Sequence, residues 1–532
     1  MSLAPVLIAG EWETARSGPL DSTAATLVPV SPHDRATLGE TYPVSGGAEV
    51  GRAADAAWAA YLELGRFTPE RRAEFLDAYA ARLEARAPEL VAQAHRETAL
   101  PVEPRLAKFE LPRTINQLRM AATAARERSW ALPTIDAAND IRSIHGPIGP
   151  VVVFGPNNFP FACNAACGGD FAAAIAAGNP VIAKANPGHL GLTRMLAEEA
   201  HAAVLATGLP PATVQLLYHF DTTLGLALMR HPKVGAVAFT GSKTAGLALK
   251  AAADEVGKPI YLEMGSVNPT VFLPGALAER WESLVAEFAG SCLMGAGQFC
   301  TNPGLVLMLD GPEAKPFVDA VAAAFSKAPA GPLLGPRVLD HLEKSVGELV
   351  EAGAQLRAGG RKSDGPGFHF QNTLLATEGA KFLDDPESFQ TEAFGNESLV
   401  VVAKDLPQLQ AIIESLEGNL TGCIYSDTKG GDDALAAAIE PILRRKVGRL
   451  LNDKMPTGVT VSPAMNHGGP FPASGHPGFT GIGIPASIRR FSALYCYDAV
   501  RQHRLPPELR NANLQPPIWR LVAGSWTKAD VG

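Results

Sequence analysis

The chain has 532 residues, a formal charge of -8 and a pI near 5.9. Hydrophobic residues make up 46% and charged residues 19%, which suits a folded protein of more than one domain and excludes a disordered chain. The mild acidity, with no long run of like charges, excludes the electrostatic footprint of a nucleic-acid binder.

Met1 to Trp12 has no basic and apolar leader pattern. No uninterrupted apolar stretch approaches the roughly 18 residues of a membrane span, so a cytoplasmic protein without a membrane partner is expected. Residues 48–65, 69–98 and 106–128 carry apolar positions at helical spacing. Around Pro133 and 139–149 the pattern changes. From 151 a series begins: strand 151–155, an Ala-rich helix over 160–177, strand 180–185, helix 191–206, strand 213–218, helix 222–230, strand 234–241, helix 243–255 and strand 259–265. The strands are continuous apolar runs, as buried parallel strands are, so the reading is a doubly wound α/β domain. A second α/β pattern follows Asn268, with a helix near 280–296, a strand at 304–309, a helix at 314–327 and strands at 398–403 and 421–426.

In such sheets ligands bind beyond the carboxyl ends of the strands. Pro156, Asn157 and Asn158 follow the first strand of the series, Lys184 lies within the second, Gly241 and Ser242 follow the fourth, and Glu263 lies on the fifth. Gly241 and Ser242 open a helix, where free N–H groups suit a pyrophosphate; an ordinary Ser cap is the plain alternative. No GxGxxG loop follows a strand. Of six cysteines, only Cys300 sits on a polar glycine turn, "GAGQFCTNPG" at 295–304, which can expose a nucleophilic sulfur and aim N–H groups at a carbonyl oxygen. Cys163, Cys167, Cys292, Cys423 and Cys496 read as buried structural residues. Glu263 in an apolar strand is expected to have a raised pKa suited to a general base, or to sit in a core ion pair. Lys184 needs a cofactor ribose or phosphate, or an internal partner. CxxC and HExxH are absent, so no metal site is expected. His467 is among several histidines without metal spacing.

The sequence resembles the aldehyde dehydrogenase superfamily along nearly its whole length. The carrying motifs are "FGPNNFP" at 154–160, "VIAKANP" at 181–187, "FTGS" at 239–242, "LEMG" at 262–265, "GQFC" at 297–300 and "EAFG" at 392–395, in the family's order. Within it the chain is most similar to the α-ketoglutarate semialdehyde (2,5-dioxovalerate) dehydrogenase group and NADP-linked relatives. The resemblance implies a doubly wound cofactor domain (1–128 with 148–267) and an α/β catalytic domain (268–470). It also implies a small β bridging and oligomerisation element (129–147 with 484–510) and a C-terminal extension (511–532). It implies Cys300 as nucleophile, Asn158 and the Cys300 N–H as oxyanion donors, and Glu263 as the base for water. Lys184, Gly241, Ser242, Pro156, Glu392 and Phe394 would bind NADP or NAD. Pro187 stands where NAD-preferring relatives often carry Glu, which favours NADP. A homodimer or homotetramer that oxidises a semialdehyde such as 2,5-dioxopentanoate, or an apolar aldehyde, to a carboxylate is expected. The rival readings are a coenzyme A-acylating enzyme, which Glu263 argues against, and a catalytically silent protein on the same fold.

Overall fold

The computed structural model describes residues 3–15 and 26–531. Its first sheet joins β1 (Val6–Ile8), β2 (Glu11–Glu13), β3 (Val151–Phe154), β4 (Val181–Lys184), β5 (Val214–Leu217), β6 (Ala236–Thr240) and β7 (Ile260–Glu263). The spatial order is β7-β6-β3-β4-β5-β1-β2. Strands β3 to β7 are parallel, while β1 adds antiparallel to β5 and carries β2 as a hairpin. Apolar side chains on both faces of β3 to β6 are fully buried, including Val151, Val152, Ile182, Leu216 and Val237. Burying both faces is what continuous Val, Ile and Leu runs require.

The chain leaves β3 towards β4 and β5, then returns to the other side of β3 for β6 and β7. The strand order therefore reverses between β3 and β6, which opens a crevice at their carboxyl ends. Register aligns those ends: Phe154 lies beside Lys184 and Phe239, and Thr240 lies beside Glu263.

A second sheet holds β8 (Thr270–Phe272), β9 (Leu305–Leu309), β10 (Gln355–Ala358), β11 (Thr373–Glu378), β12 (Glu397–Ala403), β13 (Asn419–Tyr425) and β14 (Val447–Asn452) in the order β10-β11-β12-β9-β8-β13-β14. All but β10 run parallel to their neighbours. A smaller sheet takes strand Ser492–Asp498 at one edge, then Ile141–Pro147 and Thr134–Asp136, with Arg520–Val522 and Ser525–Thr527 completing it. None of the helices among the described residues is long and apolar enough to cross a membrane.

Several elements differ from the sequence reading. The helix expected over 69–98 is two, Pro69–Ala85 and Ala87–Thr98, because Pro88 lacks an N–H and starts a new helix. Helix Leu111–Glu127 starts later than the apolar spacing suggests, after the irregular turn Val102–Glu110. The apolar run from 160 is a series of turns, and helix begins only at Gly169. Buried Glu110 takes the N–H groups of Phe161 (2.8 Å) and Ala162 (3.0 Å), which ties that backbone outside a helix. The helix expected near 280–296 spans Pro274–Leu293, with turn 294–297 beyond it. Cys496, expected inside, is exposed on strand Ser492–Asp498 at the sheet edge.

Candidate active site

Pro156, Asn158, Gly241, Ser242, Glu263, Cys300, Glu392 and Phe394 line one cleft of about 230 Å³ at the reversal point of the first sheet. The cleft is closed on the other side by residues of the second α/β unit.

Cys300 follows a backbone that turns sharply: Gly295, Ala296 and Gly297 have φ of +58°, +55° and +69°. Gly297 is required there, since a Cβ on it would stand 1.9 Å from the Gly395 carbonyl oxygen. Buried Asn268 fixes the turn from below. Its Nδ2 donates to the carbonyls of Cys300 (2.9 Å) and Asn302 (2.8 Å), while its Oδ1 accepts from the hydroxyls of Ser266 (2.9 Å) and Thr421 (3.0 Å). Asn158 approaches from the other sheet and donates its Nδ2 to the Gln298 carbonyl at 2.9 Å. One amide hydrogen is engaged, leaving the second for the cleft. The Asn158 carbonyl accepts from Arg105 at 2.9 Å, and Arg105 pairs with buried Glu110.

The base and the thiol share a partner. Nε2 of His467 lies 3.3 Å from Cys300 Sγ and 3.0 Å from Glu263 Oε1. Segment 467–481 lays His467 there: its N–H donates to Thr480 Oγ1 (3.0 Å), and the Gly481 N–H donates to the His467 carbonyl (2.8 Å). Residues 473–475 also pair with β7, through Met264 N–H to Ala473 O at 2.9 Å and Gly475 N–H to Leu262 O at 3.1 Å. Burial alone would push the Glu263 carboxyl up, but the His467 imidazole and the hydrogen-bonded Cys300 thiol outweigh it and hold the group below its ordinary value. The rise expected from the sequence is therefore reversed. Burial first, then Glu263, push the Cys300 thiol well up; Arg113 acts in the opposite direction.

On the far side of the cleft, Ser242 caps helix Lys243–Asp254 by accepting from the Ala245 N–H at 3.4 Å. Glu392 Oε1 accepts from the Ser266 N–H at 3.1 Å, and burial pushes its carboxyl up to about 7. A Cβ on Gly265 would stand 2.6 Å from that carboxylate, so the backbone passes close beneath it. Lys184 ends β4 behind the cleft lining; burial first, then Arg337, bring its ammonium down to about 8. The same two cations, after burial, hold His219 down at about 4.

The profile described as Aldehyde dehydrogenase family matches residues 20–442. The chain belongs to the aldehyde dehydrogenase family. It is 40% identical over 483 residues to alpha-ketoglutaric semialdehyde dehydrogenase 2 of Azospirillum brasilense, covering 89% of this chain and 91% of that one. It is 35% identical over 519 residues to alpha-ketoglutaric semialdehyde dehydrogenase of Acinetobacter baylyi, covering 95% and 97%. A 1-pyrroline-5-carboxylate dehydrogenase variant of Thermus thermophilus shares the fold with a TM-score of 0.79 at 23% identity, covering 93% and 92%. Aldehyde dehydrogenase C of Pseudomonas syringae, solved with NAD+ and octanal, does so with a TM-score of 0.79 at 20% identity, covering 96% and 98%. This aldehyde dehydrogenase is an oxidoreductase that uses NAD or NADP to oxidise aldehydes.

The structure adds residues that the sequence reading passed over. His467 was indistinguishable from other histidines because its partners lie far away in the chain. Arg113 and Arg105 reach the thiol side of the enzyme from residues 102–127, and stand over the Phe159 ring at 5.7 and 4.5 Å. The Arg113 Nε is buried without a partner among the described residues. Arg337 lines the cleft from the helix Pro336–Glu351, and among the described residues no carboxylate pairs with it.

Proposed function

We propose that this enzyme oxidises a short semialdehyde bearing a distal carboxylate, of the 2,5-dioxopentanoate class, to the corresponding acid through a thioester on Cys300. The observation that carries the chemistry is the contact of Cys300, His467 and Glu263 at the cleft floor. Cys300 attacks the aldehyde carbon as the thiolate, its proton having left to solvent. The second Nδ2 hydrogen of Asn158 and the N–H of Cys300 hold the resulting oxyanion. Bound NAD(P) would supply the hydride acceptor that turns this adduct into a thioester. Glu263 then takes a proton from the water that hydrolyses it, and His467 stabilises the charge on whichever of its two neighbours is ionised. Glu263 thus favours hydrolysis over transfer of the acyl group to coenzyme A.

The residues across the cleft fit a dinucleotide. Glu392 offers a buried carboxyl for the nicotinamide ribose, and Phe394 and Pro156 offer surfaces beside it. Gly241 and Ser242 offer a helix N-terminus for the pyrophosphate, and Lys184 a cation for the adenosine ribose. NADP is the proposed choice: Pro187 brings no carboxylate to repel a 2′-phosphate, and the field of Arg337 reaches both Lys184 and His219. The cofactor unit is taken as 1–128 with 148–267, and the catalytic unit as 268–470. A homodimer or homotetramer would form through edge strand Ser492–Asp498, where Leu494 and Tyr495 are exposed.

Two observations support the substrate class. The two relatives that match 89% and 95% of the chain at 40% and 35% identity are named for α-ketoglutaric semialdehyde. Arg113 lies beside the thiol chamber, and its buried Nε has no partner among the described residues. Arg113→Met should lower kcat/KM for 2,5-dioxopentanoate by about 30-fold, from a loss of about 2 kcal/mol on removing one member of a charge pair. Butanal should change by less than about threefold. Equal losses for both, or a wild-type preference for octanal, would overturn the substrate assignment and leave the aromatic wall of Phe159 and Phe299 to select an apolar chain.

A further inference from the structure

The three side chains on the cleft floor also have the composition and spacing of a transition-metal site. Cys300 Sγ, His467 Nε2 and one Glu263 carboxylate oxygen all lie within 4.8 Å of one another. A tetrahedral Zn²⁺ bonds sulfur at about 2.3 Å and imidazole or carboxylate at about 2.0 Å, which sets the donors about 3.5 Å (S to N) and about 3.3 Å (N to O) apart. The observed separations are 3.3 and 3.0 Å. Both separations are within about 0.3 Å of those tetrahedral values.

We propose that the enzyme without substrate binds one Zn²⁺ ion per chain at Cys300, His467 and Glu263, and that this ion reversibly silences it. The donor set selects the metal: one thiolate and one imidazole suit Zn²⁺ and its neighbours, whereas Mg²⁺ and Ca²⁺ demand oxygen ligands. Charge also closes. Thiolate and carboxylate together neutralise the dication, so the site carries no net charge in a buried setting where one would be costly. Binding replaces the thiol proton, which leaves to solvent, and no electron is transferred. Three protein ligands leave the fourth position facing the cleft that Cys300 lines. The lone pair for attack and the carboxylate for water activation are withdrawn together, so aldehyde oxidation stops until the ion is removed.

The floor is built to hold the three donors in place. Glu263 is anchored on β7, Cys300 by the Asn268 clamp, and His467 by its N–H bond to Thr480. A Cβ on Gly481 would stand 3.2 Å from Glu263 Oε2, so the chain closes over the carboxylate without side-chain bulk. The inference rests on these three side chains and not on which aldehyde is oxidised.

Metal-free, reduced full-length enzyme, titrated with Co²⁺ as a spectroscopic stand-in, should bind one equivalent. It should show the intense visible bands of four-coordinate cobalt and a near-ultraviolet sulfur-to-cobalt band, both erased by Zn²⁺. The sulfur band should vanish in Cys300→Ser, and affinity should fall at least tenfold in His467→Phe. On the unmodified enzyme, which needs no variant to fold, Zn²⁺ should slow alkylation of Cys300 by iodoacetamide at least tenfold, and a chelator should restore it. A weak six-coordinate spectrum, a sulfur band that persists in Cys300→Ser, or alkylation indifferent to Zn²⁺ would overturn the proposal. Turnover measured without metal bears only on the proposed function.

Discussion

Cys300 is a thiol kept neutral by its surroundings. Burial and the neighbouring Glu263 push it up, and only Arg113 pulls the other way. Since the thiolate is the reactive form, its fraction grows about tenfold per pH unit below the pKa. Alkylation of Cys300 in cofactor-free enzyme should therefore keep climbing across pH 6 to about 9. A plateau reached below pH 7 would mean a standing thiolate and would contradict this electrostatic reading. The sequence marked Cys300 through its glycine turn and Glu263 through its apolar strand, because both signals are local. The direction of the Glu263 shift was not legible. It depends on His467, which only the paired segment 467–481 brings to the carboxylate.

At the scale of elements, the site depends on a turn that tolerates no side chain. Gly297 combines positive φ with a Cβ direction blocked by the Gly395 carbonyl. Gly297→Ala should destabilise the fold by about 1–3 kcal/mol and cut turnover at least tenfold, because the strained turn would carry Cys300 away from Asn158. Thermal denaturation and NAD(P)H formation check it together; an unchanged melting temperature and rate would refute it. The parallel strands were legible as unbroken apolar runs bounded by glycine and proline. The stretch at 160–168 was not. Its Ala-rich composition suits a helix, but Glu110, from a separate segment, captures two of its N–H groups. Local preference yielded to a buried carboxylate in need of donors.

Over the whole molecule, the cleft exists because two α/β units face each other at the β3/β6 reversal. That arrangement lets Arg337 from the second unit lend its charge to Lys184 and His219 of the first. If NADP is the cofactor, Arg337→Ala should weaken NADP binding about tenfold, roughly the 1.4 kcal/mol of one lost charge contact, while NAD changes little. Titrations followed by protein fluorescence would measure this; equal effects on both cofactors would remove Arg337 from 2′-phosphate recognition. Residues 213–225, in and just after β5, contain no arginine; the cation arrives from more than a hundred residues downstream. The family motifs fixed the layout of the cleft, but they say little about side chains that reach into it from the second unit.

In the proposed reaction Glu263 serves thioester hydrolysis on Cys300, after hydride transfer. The most direct test is rapid-mixing absorbance of NAD(P)H in Glu263→Gln with saturating aldehyde and cofactor. The expected result is a burst approaching one equivalent per chain, followed by a steady state slowed by about 100-fold or more. Loss of the burst along with the steady state would contradict it, because Glu263 would then be needed before the thioester forms.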